Sequence, residues 1–529
     1  MGRRKLRSKL ENSYGEKPDV EYYDGDLNSI RTYFNFRYDN GLDKFLIDDT
    51  TWSDLSGDVI FKRINQGLST SGEQYLYCLL RTPAVDKVEY EKRAKLLGLM
   101  EMHPDLRLEL QVILAELGRR RAARTCTVYQ PPSHGLKKML LYILLSLAFL
   151  ISVASLLFAF SLVPLFIALF IFLPVYHNNI VSKMYVDFAT VNYSIAMMLA
   201  SQKVQKLSHQ ELNEIVFPCY DANKRLKNIS RIGAIPTKDI LGDFSVLINS
   251  FLFLDLIAFE LMKNRLGKHN EDIFLIHEHL GRLDSAIAVA SYRKRLPTYC
   301  EPRIDFDSGA AAFHGEGLVH PLIDEPVPND LDTSSSILLT GSNASGKSTF
   351  LKTIALNAIL AQSICTVLGT QYAASAFRIY TSMAITDNLF AGESYFISEI
   401  KSLKRLTDAS TAEQPMLCVI DEVLRGTNTV ERIAASSALL KHLNIEKSLC
   451  IAATHDIELC ALLDSHYRLL HFEETVTWDG EVLFDYKIKD GPATTRNAIK
   501  LLGSMGFDKE LVISANERAA RYNAEGKWN

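Results

Sequence analysis

The stretch Thr340-Gly341-Ser342-Asn343-Ala344-Ser345-Gly346-Lys347-Ser348-Thr349 decides the fold of the C-terminal part of this chain. Residues 341–348 fit the pattern G-x-x-x-x-G-K-[ST], which forms a phosphate-binding loop where it follows a strand and opens a helix. The apolar run Ile337–Thr340 precedes the pattern, and helical sequence follows it. Glycines let backbone N–H groups close on phosphate oxygens, and the helix N-terminus adds positive potential. The residues expected to bind phosphate are Gly341, Ser342, Asn343, Ala344, Ser345, Gly346, Lys347, Ser348 and Thr349.

Polar side chains follow two further apolar runs of strand type. Met416–Ile420 ends in Asp421 and Glu422, and Cys450–Ala453 is followed closely by His455. Short β-type runs alternate with helical stretches from about residue 301 onward, which predicts an α/β domain. The carboxyl ends of parallel strands meet at one edge of such a sheet, so we expect these side chains to lie near the phosphate loop.

The chemistry of these side chains suits hydrolysis of ATP with Mg²⁺. Lys347 is expected to reach the β- and γ-phosphates, and the Ser348 hydroxyl to ligate Mg²⁺. Asp421 would hold the Mg²⁺ shell, and Glu422 would orient or deprotonate the attacking water. A histidine at the end of a strand in such a sheet can sense the γ-phosphate. The predicted catalytic residues are therefore Glu422, Lys347 and His455, and the predicted metal ligands are Ser348 and Asp421.

A further segment, Asp387–Phe396, lies between the phosphate loop and the acidic strand. Small residues and a hydroxyl group at the start of a helix can bind phosphate, which makes Ser394 a candidate nucleotide contact. An ordinary helix N-cap at Ser394 is the alternative interpretation of the local sequence.

In this order the motifs resemble those of the MutS family of DNA mismatch-repair ATPases, a branch of the ABC-type ATPase fold. The matching segments, with the family motif in parentheses, are 340–349 (TGPNMGGKST), 391–396 with Glu399 (SGRSTF…E), 421–429 (DEIGRGTST) and 453–455 (ATH). Weaker similarities extend the resemblance to about residues 45–525. The order and spacing of the four segments make it specific in the C-terminal part.

The resemblance implies a homodimer in which each ATP site is completed by the partner. Ser394 would then face the γ-phosphate bound by the partner, and the nucleotide state would move lever helices and affect DNA binding. Two positions depart from the family pattern: Glu393 replaces an arginine, and Asn388 replaces the second aspartate of DDL. The family's mismatch-reading domain, with its Phe-x-Glu wedge, has no counterpart ahead of the core, which argues against mismatch recognition.

Apolar residues are concentrated in one place. The chain has 529 residues, 58 basic and 62 acidic, yet its mean hydropathy is +0.02. Met139–Tyr176 contains no charged residue, and 25 of its 38 residues are Leu, Ile, Phe or Val. One helix of that length would measure about 57 Å, almost twice the roughly 30 Å hydrocarbon core, so we predict a transmembrane hairpin broken near Phe160–Pro164. A buried helical pair in a soluble protein is the alternative, which the lack of a polar face disfavours.

The basic residues beside the hairpin and the cysteine content predict the compartment in which the two soluble parts lie. Basic residues flank the hairpin at Arg119, Arg120, Arg121, Arg124, Lys137, Lys138 and Lys183. The positive-inside rule then puts both soluble parts on the cytoplasmic side of the cytoplasmic membrane. Eight cysteines without C-x-x-C spacing suit a reducing compartment. The predicted domains are a polar, irregular, basic N-terminal tail (1–43), a helical core and lever (44–138 and 177–300), the hairpin (139–176) and the ATPase domain (301–529).

The predicted fold class is an α/β ABC-type P-loop ATPase domain preceded by an all-α core and lever domain that the hairpin interrupts. We expect a membrane-anchored, dimeric MutS-like ATPase that couples its nucleotide cycle to lever movement and DNA binding. Basic residues of the N-terminal tail, or Arg225, Lys227 and Arg231, could contact DNA phosphates or remain solvated. The alternatives are a transporter-like ATPase, for which two charge-free spans make a poor path, and a nucleotide-switched membrane scaffold without DNA binding.

Overall fold

The structure is a computed structural model. It describes residues 2–124, 135–156, 163–207, 209–216, 218–233, 243–342, 345–383, 395–425, 427–476, 482–493, 499, 502 and 506–525. Residues of the chain cluster into two compact units, one formed by 1–43, 64–78 and 95–295 and the other by 44–63, 79–94 and 296–529. The N-terminal part is helical and the C-terminal part is mixed α/β, which confirms this much of the predicted fold class.

Helices dominate the N-terminal half and alternate with strands in the C-terminal half. In chain order they are α1 Arg3–Ser13, α2 Asp26–Ile30, α3 Thr32–Asp39, α4 Asp49–Asp54, α5 Gly57–Ile64, α6 Thr70–Arg81, α7 Lys87–Met102, α8 Pro104–Leu117, α9 Gly135–Ser155, α10 Val163–Lys183, α11 Tyr185–Val204, α12 Gln210–Val216, α13 Cys219–Gly233, α14 Asp243–Leu252, α15 Leu254–Leu266, α16 Asn270–Arg295, α17 Lys347–Ile364, α18 Tyr395–Ser410, α19 Thr429–Leu443, α20 Ile457–Leu463 and α21 Lys509–Glu525.

Strands occur in the C-terminal half. They are β1 Arg303–Asp305, β2 Phe313–Leu318, β3 Asn329–Thr333, β4 Ile337–Thr340, β5 Gln371–Ser375, β6 Arg378–Ser382, β7 Met416–Asp421, β8 Ser448–Ala453, β9 Arg468–His471, β10 Glu474–Val476, β11 Val482–Phe484 and β12 Lys489–Asp490. Within the described residues, one sheet has the order β12-β9-β4-β8-β7-β6, a second has the order β1-β5-β2-β3, and β10 pairs with β11.

The larger sheet positions the site. Its strands β9, β4, β8, β7 and β6 run parallel, so their carboxyl ends share one edge. All six residues of β7 and of β8 are buried, as expected for central parallel strands covered on both faces. Met416, Cys418, Ile420 and Leu406 belong to the cluster that packs this sheet against its helices. Burying each such side chain contributes about 1.5–3 kcal/mol.

The helical unit has a buried polar joint at the start of α6. The Asp284 carboxylate of α16 accepts hydrogen bonds from the backbone N–H groups of Leu68 (2.9 Å) and Ser69 (2.8 Å). Both donors directly precede α6, so the carboxylate fixes the backbone where that helix begins. A Cβ atom at Gly72 would lie 2.0 Å from Asp284 Oδ2, so only glycine fits there. Burial raises the pKa of Asp284 to about 6, although these hydrogen bonds oppose the rise.

The segment 1–43 differs from its prediction as an irregular tail, because it contains α1, α2 and α3. Helix α1 packs Leu10 against Leu108 and Val112 of α8. Arg3 and Arg7 form ion pairs with Glu109 of the same helix. Tertiary packing therefore makes this part helical. Such packing gives a short polar segment no strong local signal in the sequence.

Two helices, α9 and α10, are long and apolar enough to cross a membrane. Their most apolar windows have mean hydropathies of 2.0 and 1.6, and only 17% and 11% of those windows are buried. The predicted break at 160–164 lies partly outside the described residues, and Pro164 stands in the first turn of α10, where proline is tolerated. Buried helices of a soluble protein would lose most of their surface to neighbours, which these do not.

Candidate functional site

The phosphate-loop motif lies between β4 and α17, as the sequence predicts. Gly341 and Gly346 have φ values of 148° and 108°, which side chains other than glycine rarely adopt. A Cβ atom at Gly341 would lie 2.7 Å from the Phe472 carbonyl oxygen. The two glycines therefore let the backbone turn sharply from a buried strand into the first turn of a helix. Asn343 and Ala344, also predicted to bind phosphate, lie outside the described residues.

Lys347 is buried at the start of α17. Its Nζ atom donates hydrogen bonds to the carbonyl oxygens of Gly341 (2.9 Å) and Ser342 (2.7 Å). Burial lowers the pKa of Lys347 to about 8, although the charges of Asp421 and Glu422 oppose the shift. The ammonium group is thus held inside the loop, where a bound phosphate would supply the missing negative charge.

The predicted carboxylates stand at the end of β7. Asp421 is its last residue, and Glu422 follows with a φ of 61° and an N–H that donates to the Ala453 carbonyl oxygen at 3.0 Å. Glu422 Oε1 lies 2.9 Å from Nε2 of His455, and its other oxygen pairs with Arg425. Burial acts to raise the pKa of Glu422, but the bond to His455 and the Arg425 charge outweigh it and lower this pKa.

The strand order explains why His455 reaches Glu422. Strand β8 lies between β4 and β7, with Ala453 beside Leu339 on one side and Asp421 on the other. His455 therefore follows the strand between the phosphate loop and the carboxylates. Asp456, the next residue, is held by Arg432 of α19 through two hydrogen bonds of 2.8 and 2.6 Å. This ion pair fixes the start of the turn that carries the histidine.

A cavity of about 560 Å³ brings most of the predicted residues together. The predicted residues that line it are Ser345, Gly346, Lys347, Ser348, Thr349, Asp421, Glu422 and His455. Gly341 and Ser342 contact Lys347 beside it. Ser394 lies outside the described residues, so its position relative to the cavity stays a prediction.

The cavity contains a hydrogen-bond donor that is available to a phosphate ligand. Ser345 Oγ is buried and, among the described residues, has no hydrogen-bond partner. It stands beside Lys347 at the mouth of a helix N-terminus, which favours anions. The part of the chain that the structure describes holds no group of three or more His, Cys, Asp or Glu residues able to bind a metal by itself. A Mg²⁺ ion here would therefore need phosphate oxygens and waters besides Ser348 and Asp421, which is its usual manner of binding.

The sequence did not single out every residue of the cavity wall. Tyr486 lines it, with its ring within 3.2 Å of the position that a Cβ atom at Gly346 would take. Asn329 and Phe472 also line it, and they come from segments without a motif. His320 is close by, and burial lowers its pKa to about 4, with help from Lys352 and Arg63. The positions of Asn329, Phe472 and Tyr486 are set by the fold, so no local signal in the sequence could have assigned them to this cavity.

Comparison with known proteins identifies the domain that carries this site. Residues 337–523 match the family model described as MutS domain V. This part of the chain is a MutS domain V. It is 28% identical to the DNA mismatch repair protein MutS of Bartonella tribocorum over 55% of this chain and 34% of that protein. It is 30% identical to the protein of the same name from Fervidobacterium nodosum, over 50% of this chain and 32% of that protein.

A eukaryotic protein is also among the relatives. MutS protein homolog 4 of Mus musculus is 29% identical over 47% of this chain and 27% of the relative. The chain thus spans about a third of the length of the curated relatives it matches. The match of domain V covers the phosphate loop, both carboxylates and His455, which line part of the cavity.

Proposed function

We propose that this chain is a MutS-like, Mg²⁺-dependent ATPase of the ABC-type P-loop class, anchored in a membrane and active as a dimer. One observation carries the proposal: Lys347, Asp421, Glu422 and His455 come from three separate segments and line one cavity. A lysine on a phosphate loop, a Mg²⁺ ligand, a base and a γ-phosphate sensor are the parts that ATP hydrolysis requires.

Each side chain has a role that follows from its surroundings. The Lys347 ammonium binds the β- and γ-phosphate oxygens in place of its own loop carbonyls. Ser348 and Asp421 hold Mg²⁺, which when bound neutralises charge that develops on the phosphates. Glu422 is ionised at neutral pH because His455 and Arg425 lower its pKa. It can therefore accept a proton from the attacking water, with the hydrogen bond to His455 fixing its orientation.

Purified protein in detergent tests the ATPase proposal directly. Hydrolysis should require Mg²⁺ and should vanish in Lys347→Ala, which should also lose nucleotide binding. Lys441→Ala is the matched control, because Lys441 lies exposed on α19 away from the cavity. Full hydrolysis by Lys347→Ala would contradict the site.

The proposed dimer completes each site with Ser394 of the partner subunit, following the family pattern. Mixing two inactive variants tests this arrangement. In a mixed dimer of Lys347→Ala and Ser394→Arg, one site has an intact phosphate loop and an intact serine from the other chain. Mixing should therefore restore hydrolysis. If each site were built from one chain only, the mixture would stay inactive.

The proposed anchor consists of α9 and α10, with both soluble parts in the cytoplasm. Their apolar composition, their low burial and the basic residues on both flanks support it. We further propose that the nucleotide cycle moves lever helices of the helical unit, as the family resemblance implies. This coupling would let ATP binding at domain V change how the helical unit holds its partner.

DNA is the partner that the relatives' names suggest. One of the predicted cations of the helical unit is already paired, because Arg225 forms an ion pair with Asp272. Arg4, Lys5 and Lys9 on α1 are exposed and remain candidates for phosphate contacts. Filter binding of the solubilised protein across a salt series, with and without ATP, tests this part. Binding that falls steeply with salt supports phosphate contacts, and no binding at low salt contradicts them.

A further inference from the structure

We infer that α14 enters the bilayer beside the hairpin as a re-entrant segment, with its outer side against lipid acyl chains. This inference rests on the proposed membrane insertion of α9 and α10. The sequence Phe244–Leu254 contains no charged residue. Helix α14 has 10 residues and so measures about 15 Å, half the thickness of the hydrocarbon core. It is too short to span a bilayer and too apolar to lie in water unaided.

Ring contacts give the depth of α14. The Phe251 ring lies 4.5 Å from that of Phe149 on α9 and 5.0 Å from that of Phe170 on α10. At 1.5 Å per residue, Phe149 is about 17 Å along its helix from Lys138, and Phe170 is about 20 Å from Lys183. A hairpin that spans the bilayer from these lysines therefore holds Phe251 inside the hydrocarbon layer.

The backbone break after α14 has the protection that membrane depth demands. The helix ends at Leu252 and α15 begins at Leu254, with Phe253 between them at a φ of 49°. Irregular backbone is tolerated in the hydrocarbon region only where protein covers it and satisfies its polar groups. Phe253 is fully buried, and the Leu252 carbonyl lies 2.7 Å from the Ser146 hydroxyl, which α9 contributes. That hydroxyl also lies 2.8 Å from the Tyr142 carbonyl of its own helix.

Asp255, the second residue after the break at Phe253, is also paired. Asp255 lies 2.9 Å from Nε2 of His177, which stands about 9 Å from Lys183 along α10. Ionisable side chains within a membrane are costly unless they find such partners. About two and a half helical turns beyond Leu254, Lys263 of α15 pairs with Asp187, which lies in the first turn of the helix after the hairpin. The chain thus returns to the side of the membrane where the hairpin ends.

The chain also starts from that side. Helix α13 precedes α14 and packs against α11 and α16, and Arg225 of α13 pairs with Asp272 of α16. Both neighbours belong to the helical unit, and α11 begins where the hairpin ends. A segment that leaves and returns on one side, and reaches about mid-depth between, is re-entrant by definition. Leu247 of α14 is exposed, as are Leu150 and Ile171 of the hairpin, which is why lipid, rather than a second protein, is the occupant.

Photocrosslinking in phosphatidylcholine and phosphatidylglycerol nanodiscs tests the inference on the full chain. A diazirine-bearing amino acid is placed at Leu247 of α14, which is 55% exposed. Leu150 of α9, at 49%, is the positive control, and Val430 of α19, at 79%, is the aqueous control. We expect lipid adducts at Leu247 and at Leu150, and none at Val430.

The outcomes separate the two proposals. Lipid adducts at Leu150 but none at Leu247 would overturn the re-entrant segment and leave the hairpin standing. Adducts at neither position would overturn both. Crosslinks from Leu247 to a second copy of the chain would make this surface an interface between copies, which also overturns the assignment to lipid.

Discussion

The Glu422 backbone has a φ of 61°, a left-handed conformation that costs a non-glycine residue about 1–2 kcal/mol. Three contacts hold it there: its N–H donates to the Ala453 carbonyl, and its carboxylate pairs with His455 and Arg425. Such strain persists at sites where the surroundings determine the geometry. The conformation points the carboxylate toward the cavity, whereas an extended continuation of β7 would alternate it to the other face.

Replacing Glu422 with glutamine should separate nucleotide binding from hydrolysis. The amide keeps the size of the side chain but cannot accept a proton, so we expect the hydrolysis rate to fall by about 10²–10⁴ while ATP stays bound. Steady-state phosphate release and retention of labelled ATP on a spin column measure the two effects. Glu458→Gln, an exposed carboxylate on α20, is the control and should hydrolyse ATP normally. Normal hydrolysis by Glu422→Gln would remove Glu422 from its assigned role.

Lys347 should make ATP affinity depend on pH. Burial lowers its pKa to about 8, so the ammonium loses its proton as the pH rises through that value. The neutral amine attracts phosphate less, and we expect the Kd for ATP to rise by up to about tenfold per pH unit above roughly pH 8. Titration with a fluorescent ATP analogue measures this slope. Lys347→Arg keeps its charge throughout this range and should give a flatter profile; equal slopes would contradict the assignment.

At the scale of elements, the sequence predicts what local patterns encode. Met416–Ile420 and Cys450–Ala453 are continuous apolar runs because both strands are covered on both faces, and their strand character follows directly. The phosphate loop was equally readable, since Gly341 and Gly346 occupy conformations that demand glycine. The cavity residues that carry a motif were therefore predictable from the chain alone.

Contacts between distant residues account for what the sequence did not predict. Helix α1 depends on Leu10 meeting Leu108, almost a hundred residues away. The break at Phe253 depends on Ser146, a residue on another helix that happens to face the Leu252 carbonyl. Neither partner has a sequence signal of its own, because a leucine or a serine has the same local pattern in many settings.

The joint between α6 and α16 should be intolerant of any side chain at Gly72. A methyl group there would lie 2.0 Å from Asp284 Oδ2 and would push away the carboxylate that holds the backbone just before α6. We expect Gly72→Ala to lower the free energy of unfolding by about 2–4 kcal/mol. Thermal unfolding in detergent measures it. Gly98→Ala is the matched control, since its nearest neighbour would be 3.7 Å away, and it should be neutral or stabilising by up to about 1 kcal/mol. If Gly72→Ala and Gly98→Ala lower the free energy of unfolding equally, the contact between residue 72 and Asp284 does not hold this joint together.

Ser146 should matter more to the hairpin than an equally buried serine on the same helix. Ser146→Ala leaves the Leu252 carbonyl without its side-chain partner in an apolar setting, which should cost about 1–3 kcal/mol. Ser152→Ala removes a hydroxyl whose bond stays within α9, to the Phe149 carbonyl, and should cost less. Melting temperatures of both variants in nanodiscs measure the difference. A larger loss in Ser152→Ala would show that the break after α14 does not depend on Ser146.

The whole molecule combines two surfaces of opposite character. Its 120 charged residues would suit a soluble protein, and domain V alone has the composition of one. The near-zero mean hydropathy comes from α9 and α10, whose side chains the protein itself leaves mostly uncovered. Proteins in water rarely expose an apolar surface of this extent. The same surface suits a bilayer, where the basic flanks at Lys137, Lys138 and Lys183 would remain in the aqueous phase.

Substitutions at two exposed positions on the hairpin test whether it lies in a bilayer or in water. Leu150 and Ile171 are exposed near the middle of α9 and α10. In water, arginine at either position would cost little and would improve solubility. In a bilayer, each arginine near the centre costs about 2.5–3.5 kcal/mol, so the double variant should lose about 5–7 kcal/mol of insertion free energy. We therefore expect Leu150→Arg with Ile171→Arg to move the protein from the carbonate-resistant membrane fraction into the soluble or degraded fraction. Val430→Arg on α19 should leave fractionation unchanged. If the double variant fractionates with membranes as the parent does, the hairpin is not what anchors the molecule.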